Sequence, residues 1–232
     1  MAIRRVEEID DLVPIRFVFA SVADKSGLEE LVPNLVNNTE KVFIVSTGGT
    51  YAAIRDILGD KADSHLEEVS EYTGMPETEG GLVKSLHHRL FLGYLTETYC
   101  EAHQRDLERE GARPVDLFIG NFYPFEKAIA KPGIDMEDAR GQIDIGGPSA
   151  MAACAKNWHR VAVLSDPNDY LELAQNLLRH NGHTTLELRY KLHQKAFRKL
   201  AEYRVAIDGF MQDFPFEEAV KPYRINNPSR GG

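Results

Sequence analysis

Apolar positions in this chain fall into short dense runs separated by longer stretches where they recur every three or four residues. RFVFAS (16–21), KVFIVS (41–46), VDLFIGN (115–121) and VAVLSD (161–166) have the length and density of buried strands, and HLEEV (65–69) reads as a weaker one. Between them, 26–37, 51–58, 97–111, MEDARGQI (136–143), GPSAMAACAKN (147–157) and NDYLELAQNLLRHNG (168–182) repeat at helix period, the last closed by Gly182. YTGMPETEGG (72–81) is rich in turn residues, and from Thr185 to about Phe214 the helical period continues. This alternation predicts an α/β fold, a mostly parallel sheet with helices on both faces and a helical C-terminal extension. The expected organisation is an N-terminal arm over 1–14 ending in Pro14, one domain over 15–215 and a tail over 216–232.

Charge and composition narrow the partners. The 232 residues are 43% hydrophobic and 27% charged, ordinary for a globular chain, and the formal charge is -9. Such a balance argues against a nucleic acid or an anionic membrane as partner, although a local basic site can still hold a small anion. Cys100 and Cys154 fit no ligand spacing, and their scarcity suits a reducing compartment. The opening MAIRRVEEIDDLVP lacks the apolar core of a signal peptide, and no stretch has the length to span a bilayer. A cytoplasmic setting is expected.

Sites in open α/β sheets gather at the carboxyl ends of strands, where SVADKSG (21–27), STGGT (46–50) and GNFYPF (120–125) fall. Thr47, Gly48, Gly49 and Thr50 follow a strand and open a helix, so their N–H groups and hydroxyls can face an anion; a tight strand-to-helix turn explains the same glycines equally well. The loop is neither a Walker A sequence nor a dinucleotide fingerprint. Lys25 supplies a matching charge or is a solvated surface lysine. In LVKSLHH (82–88), Lys84, Ser85 and His87 interrupt an apolar stretch. The His87–His88 pair has no carboxylate or cysteine at ligand spacing, and no metal is expected. Asn121 and Tyr123 sit at a strand end, the aromatic being either core or a grip on a planar ligand.

QIDIGGPSAMAACAKN (142–157) places an acid before a double glycine and a lysine more than two turns along a helix of small residues. Asp144 reads as a cap for the N–H groups of that helix start. Alternatively, the N–H groups of Ile145 and Gly146 stabilise an oxyanion, worth about 3–4 kcal/mol per donor. The small residues allow close packing beneath a pocket, and Lys156 suits proton transfer if it enters that pocket.

SVADKSGL, STGGT, EYTGMPE, GGLVKSLHH, NFYPFEKAIA, QIDIGGPSAMAACAKN and SDPNDY occur in this order, and together they resemble the IMP cyclohydrolase domain of the bifunctional purine-biosynthesis family. The resemblance runs from about Arg16 to about Phe214 and leaves no room for that family's transformylase domain. It implies a methylglyoxal-synthase-like fold. The implied reaction closes 5-formamidoimidazole-4-carboxamide ribotide to inosine monophosphate with loss of water, as a cyclic amidine hydrolase needing neither metal nor organic cofactor. By position it assigns Ser21, Lys25 and Thr47–Thr50 to the ribotide phosphate and ribose, and Lys84 and Ser85 to a second lysine–hydroxyl pair. Asn121 and Phe122 become further substrate contacts, and Tyr123, Asp144, Ile145, Gly146 and Lys156 surround the reacting groups, with Lys156 the proton donor or acceptor. The implied partners are the small-molecule substrate, a second copy of the chain in a homo-oligomer, expected as a dimer, and a separate transformylase. Three departures stand out: Leu82 replaces a substrate-binding arginine, Ala23 a serine, and RLFLGYL (89–95) a histidine-containing segment. They leave open a non-catalytic nucleotide sensor of the same fold; a methylglyoxal synthase fits the motifs less well.

Overall fold

The computed structural model describes residues 5–76, 78–79 and 83–226. In chain order the strands are β1 (Leu12–Pro14), β2 (Phe17–Val22), β3 (Phe43–Ser46), β4 (Leu66–Glu68), β5 (Leu117–Asn121), β6 (Ala162–Leu164) and β7 (His183–Thr185). The helices are α1 (Leu28–Asn38), α2 (Gly48–Leu58), α3 (Ala62–His65), α4 (Val69–Thr73), α5 (His88–Leu95), α6 (Glu101–Glu110), α7 (Phe125–Ile129), α8 (Met136–Gly141), α9 (Gly146–Lys156), α10 (Tyr170–Arg179), α11 (Leu186–Asp213) and α12 (Phe216–Ala219). The chain divides into two units: residues up to Phe122 with Ile145–Leu200, and Tyr123–Asp144 with the residues from Ala201 onward.

The first unit is built on a five-stranded sheet of order β4-β3-β2-β5-β6 in which every neighbouring pair is parallel. Period-two alternation gives it two cores. Val18, Ala20, Ile44, Leu117 and Ile119 face α1, α2 and α10 through Leu31, Leu35, Ile54 and Leu173. Phe17, Phe19, Val45, Phe118 and Val163 face α4, α5 and α9 through Val69, Leu90, Tyr94, Met151 and Cys154. With both faces covered, the strands must be apolar throughout, which is why they read as dense runs. Each buried large side chain contributes about 1.5–3 kcal/mol.

Several short elements escaped the hydrophobic pattern, α3, α4, α7 and α12 among them. Leu12–Pro14 and His183–Thr185 pair as a separate antiparallel ribbon, with Leu12 opposite Thr185. Three-residue strands are too short to show a period. The residues just before this ribbon are fastened by Arg189, fully buried, whose guanidinium donates to the carbonyls of Asp10, Asp11, Thr184 and His159. Its burial holds the guanidinium pKa down at about 10. Another is α5, an eight-residue helix too short for its apolar run RLFLGYL to establish a helix period.

The second unit holds α7, α8, the continuation of α11 from Ala201 and α12. Phe125 is buried and meets Phe210 edge-on with ring centroids 5.8 Å apart. The Tyr203 hydroxyl accepts the backbone N–H of Asp144 at 2.8 Å. Glu137 bonds Arg140 and the Tyr223 hydroxyl, and the Arg140 guanidinium first, then the phenol, holds its carboxyl at about 2.

Candidate functional site

β2, β3 and β5 end side by side at the carboxyl edge of the sheet, and the loops that follow bring several of the sequence candidates together. The Ser21 hydroxyl lies 3.0 Å from that of Thr47, joining the ends of β2 and β3. Thr47 is the extended N-cap residue of α2, with no side-chain cap bond, so the first N–H groups of that helix open outward. Gly48 has φ +28°, and a Cβ there would stand 2.9 Å from the Lys84 Nζ; one on Gly49 would stand 3.9 Å from the Lys25 Nζ. The positive φ favours glycine at 48, while the lysine tip beside it can move aside for a Cβ. Two ammonium groups and a helix start meet over the same two residues, an arrangement suited to a phosphate or another compact anion.

Thr50 and Asn121 do different work. Thr50 is buried, and its hydroxyl accepts the Val22 N–H at 3.0 Å and donates to the Val22 carbonyl at 3.1 Å, locking α2 to β2. The Asn121 side chain clasps the loop after β2, accepting the Asp24 N–H at 2.8 Å and donating to the Asp24 carbonyl at 2.9 Å. Its backbone carbonyl also accepts the N–H of Ala23 at 3.2 Å. Both residues therefore shape the loop that carries Lys25. Ser85 is half-buried in the turn beside Lys84, and Phe122 packs against the second core. Leu82 lies outside the described residues.

His87 and His88 have separate tasks. Nδ1 of His87 accepts the Arg89 N–H at 3.2 Å and caps α5, and burial together with the neighbouring His88 and Arg89 lowers its pKa. Nε2 of His88 sits 3.1 Å from a Glu110 oxygen.

The GGPSAMAACAK helix forms as its small residues suggest, with Pro148, Ala150, Met151, Ala153, Cys154 and Ala155 buried against the sheet. Ile145 is its N-cap residue and is 59% exposed, followed by Gly146 at the helix start. Eleven residues at 1.5 Å each separate the two ends of α9 by roughly 15 Å. Lys156 is the last of them and is exposed. The next residue, Asn157, donates to the carbonyls of Tyr94 and Thr96, and Arg160 donates to that of Val115, just before β5 begins. Lys156 therefore belongs to the amino edge of the sheet, opposite the edge where Ser21, Lys25, Thr47, Lys84 and Asn121 gather. Within one chain the structure does not bring it to them. Tyr123 and Asp144, both exposed, belong to the second unit.

The amino edge carries a polar network that the motifs did not signal. Asp116 is fully buried; one carboxylate oxygen accepts the N–H groups of Arg16 and Phe17 at 2.9 Å each, and the other pairs with Arg160 at 2.6 Å. A buried carboxylate so enclosed is a structural lock, because its lone pairs are spent within the protein. An aspartate preceding a strand carries no sequence signal of this.

Comparison with known proteins agrees with the motifs. The family described as AICARFT/IMPCHase bienzyme matches residues 154–229. The bifunctional purine biosynthesis protein PurH of Trichormus variabilis is 41% identical over 196 residues, covering 84% of this chain and 38% of that protein. PurH of Xanthomonas campestris pv. campestris is 38% identical over 220 residues, covering 95% of this chain and 40% of that protein. The chain thus spans about two-fifths of the length of these relatives. The crystal structure of ForH superposes with a TM-score of 0.72 at 28% identity, covering 85% of this chain and 99% of that one, in keeping with a methylglyoxal-synthase-like fold. Among the described residues no helix is long and apolar enough to cross a membrane. In sequence, motif order and fold, the chain carries the IMP cyclohydrolase-like domain of the PurH family of bifunctional purine biosynthesis proteins.

Proposed function

We propose that this chain closes the purine ring, converting 5-formamidoimidazole-4-carboxamide ribotide to inosine monophosphate and water. The reading rests on one observation above the others, the approach of Lys25 and Lys84 to the glycine start of α2 beside the Ser21–Thr47 hydroxyl pair. A ribotide phosphate matches that charge, and the hydroxyls suit its ester oxygens or the ribose.

In the reaction the carboxamide nitrogen attacks the formyl carbon, forming the new C–N bond. The nitrogen gives up its proton to a base, the former formyl oxygen gains negative charge and then protons, and it departs as water. No electrons change hands, and the reacting groups share one molecule, so holding them in an attacking pose supplies much of the rate. In the proposal Lys25, Ser21, Thr47, Gly48 and Gly49 hold the phosphate end, with Thr50 and Asn121 fixing the loops around them. Ser85 and Phe122 line the substrate. Lys84, half-buried beside the exposed Lys25 at this edge, is assigned the proton transfer. Tyr123, Asp144 and the N–H groups of Ile145 and Gly146 are assigned to the reacting groups by the resemblance. Lys156 enters by the same resemblance alone, since α9 carries it to the other edge of its own chain. In a homo-oligomer a second copy can supply it.

Following ring closure by absorbance, with purified chain and formylated ribotide, tests the reading: inosine monophosphate should form without added divalent metal or a folate donor. Tight binding of the nucleotide with no turnover would instead mark a sensor. Lys156→Ala separates the two lysines, because parental turnover would leave Lys84 alone as the acid–base group. If Lys156→Ala is inactive, mixing it with an inactive Lys84→Met chain tests whether sites are shared between copies, as activity would then return in the mixture.

A further inference from the structure

Glu97, Cys100 and His103 lie outside every motif used above. Each offers one ligand atom, and those three atoms all lie within 4.8 Å of one another. The spacing explains the convergence. Cys100 is the N-cap residue of α6 and His103 lies in its first turn, three residues on and therefore on the same face. Glu97 is delivered by the preceding loop, which is held from several sides. Thr96 bonds back to α5, and its carbonyl accepts from Asn157 at 2.9 Å. Gln104 donates to the carbonyls of Glu97 and Thr98 at 3.1 and 3.3 Å. Nδ1 of His103 accepts the Glu97 N–H at 3.2 Å, which fixes the tautomer unprotonated at that nitrogen; a metal taking the same lone pair would displace this bond. Nδ1 stands 4.0 Å from a Glu97 carboxylate oxygen.

We propose that these three residues form a binding site for a thiophilic divalent cation of the zinc class. Tetrahedral zinc with bonds of about 2.0–2.3 Å separates its ligand atoms by roughly 3.3–3.6 Å, so the cluster closes on the ion with movements of about an ångström. The donor set selects the metal: a thiolate and an imidazole suit zinc, whereas magnesium and calcium take oxygen ligands. Cys100 is buried and forms no disulfide, while Glu97 and His103 are half-buried, leaving a fourth position for water. The surroundings favour a cation. A cavity of about 210 Å³ beside Glu97 is lined by Glu7, Glu8 and Tyr99, with one opposing charge from Arg5. Tyr99 in turn donates to Asp10 at 2.6 Å. Through Thr96 and Asn157 the cluster belongs to the amino edge, away from the loops proposed to bind the ribotide. Its occupation clamps the connection between α5 and α6 and takes no part in ring closure.

The test uses the full chain after treatment with a strong chelator. Zinc is titrated against a chromophoric competitor, and cobalt(II) serves as a spectroscopic probe. One equivalent should bind, cobalt should give a thiolate charge-transfer band, and zinc should raise the melting temperature. Cys100→Ser should abolish the band and weaken zinc by more than about 100-fold, beyond what loss of an outer-sphere partner does. Cys154→Ser, in the core, should retain both. If Cys100→Ser fails to fold, His103→Ala and Glu97→Gln carry the comparison. A band that survives Cys100→Ser, zinc binding unchanged in the His103 and Glu97 variants, or no stoichiometric binding by the parent would overturn the site. Ring closure by the chelated chain is read separately, so that its failure bears on the proposed function and not on this site.

Discussion

The two edges of the parallel sheet treat charge in opposite ways. At the amino edge, Asp116, Arg160 and Arg189 are buried and bonded to backbone, and Asp116 and Arg160 also to each other. At the carboxyl edge, Lys25 is exposed, Lys84 is half-buried, and both approach a helix start that no side chain caps. A buried charge must be paired inside the protein because water cannot repay its desolvation. Charges gathered in loops over an open helix start can instead be spent on a ligand. The comparison separates the residues that hold the fold from those available for chemistry, though both sets are polar and both flank strands.

The sharpest way to break this division is to remove the half-buried lysine. Lys84→Met should lower ring closure by about 100- to 10,000-fold, the usual range for an acid–base group, with an unchanged melting temperature. A loss of fold with the loss of activity would make Lys84 structural, and the edges would no longer differ. At the opposite edge, Asp116→Ala leaves Arg160 buried without its partner and should destabilise the chain by about 3–5 kcal/mol, read as a lower urea midpoint. Its affinity for inosine monophosphate at low urea should match the parent. Smaller again, Lys25→Ala should weaken inosine monophosphate by about 10- to 100-fold, as expected for one charged contact, while leaving inosine unaffected. Calorimetry showing equal affinity of the parent for both compounds would remove the phosphate from that loop.

The smallest effect belongs to the second unit, where charges are exposed. The Glu137 carboxyl is depressed from 4.5 to about 2, so its contribution to stability is present above pH 4.5 and fades as pH falls towards 2. Tyr223→Phe removes one of its partners and should shift the carboxyl titration upward with little change in melting temperature near neutrality. Carboxyl chemical shifts followed over that pH range check it.

Much of the first unit was legible because its sheet is covered on both faces. A strand buried twice has to be apolar throughout, so RFVFAS and VDLFIGN announced β2 and β5 without help from their neighbours. With only eight residues, α5 was hidden in a dense apolar run, and β1 and β7 were likewise too short to show a period. Within the candidate site, STGGT announced a strand-to-helix turn, and the left-handed Gly48 explains the glycine there. That Lys84 meets it depends on a loop returning from thirty-six residues away, which no local pattern encodes.

By itself, then, the sequence determined the alternation of strands and helices, the parallel sheet and the ordered motifs of the PurH family, because periodicity and motif chemistry are properties of neighbours along a chain. Tertiary structure alone decided which edge each charged residue serves. Asp144 and Lys156 are close in sequence and belong to one motif, but a rigid helix between Gly146 and Lys156 sends the lysine roughly 15 Å along the sheet from the helix start. Lys25 and Lys84, far apart in sequence, arrive over the same two glycines, Lys25 because parallel β2 and β3 end together and Lys84 because the turn before α5 returns to them. Glu97, Cys100 and His103 likewise form a cluster only once a loop folds back on the first turn of α6. Distance along the chain constrains distance in space only within a single element, and beyond it packing decides.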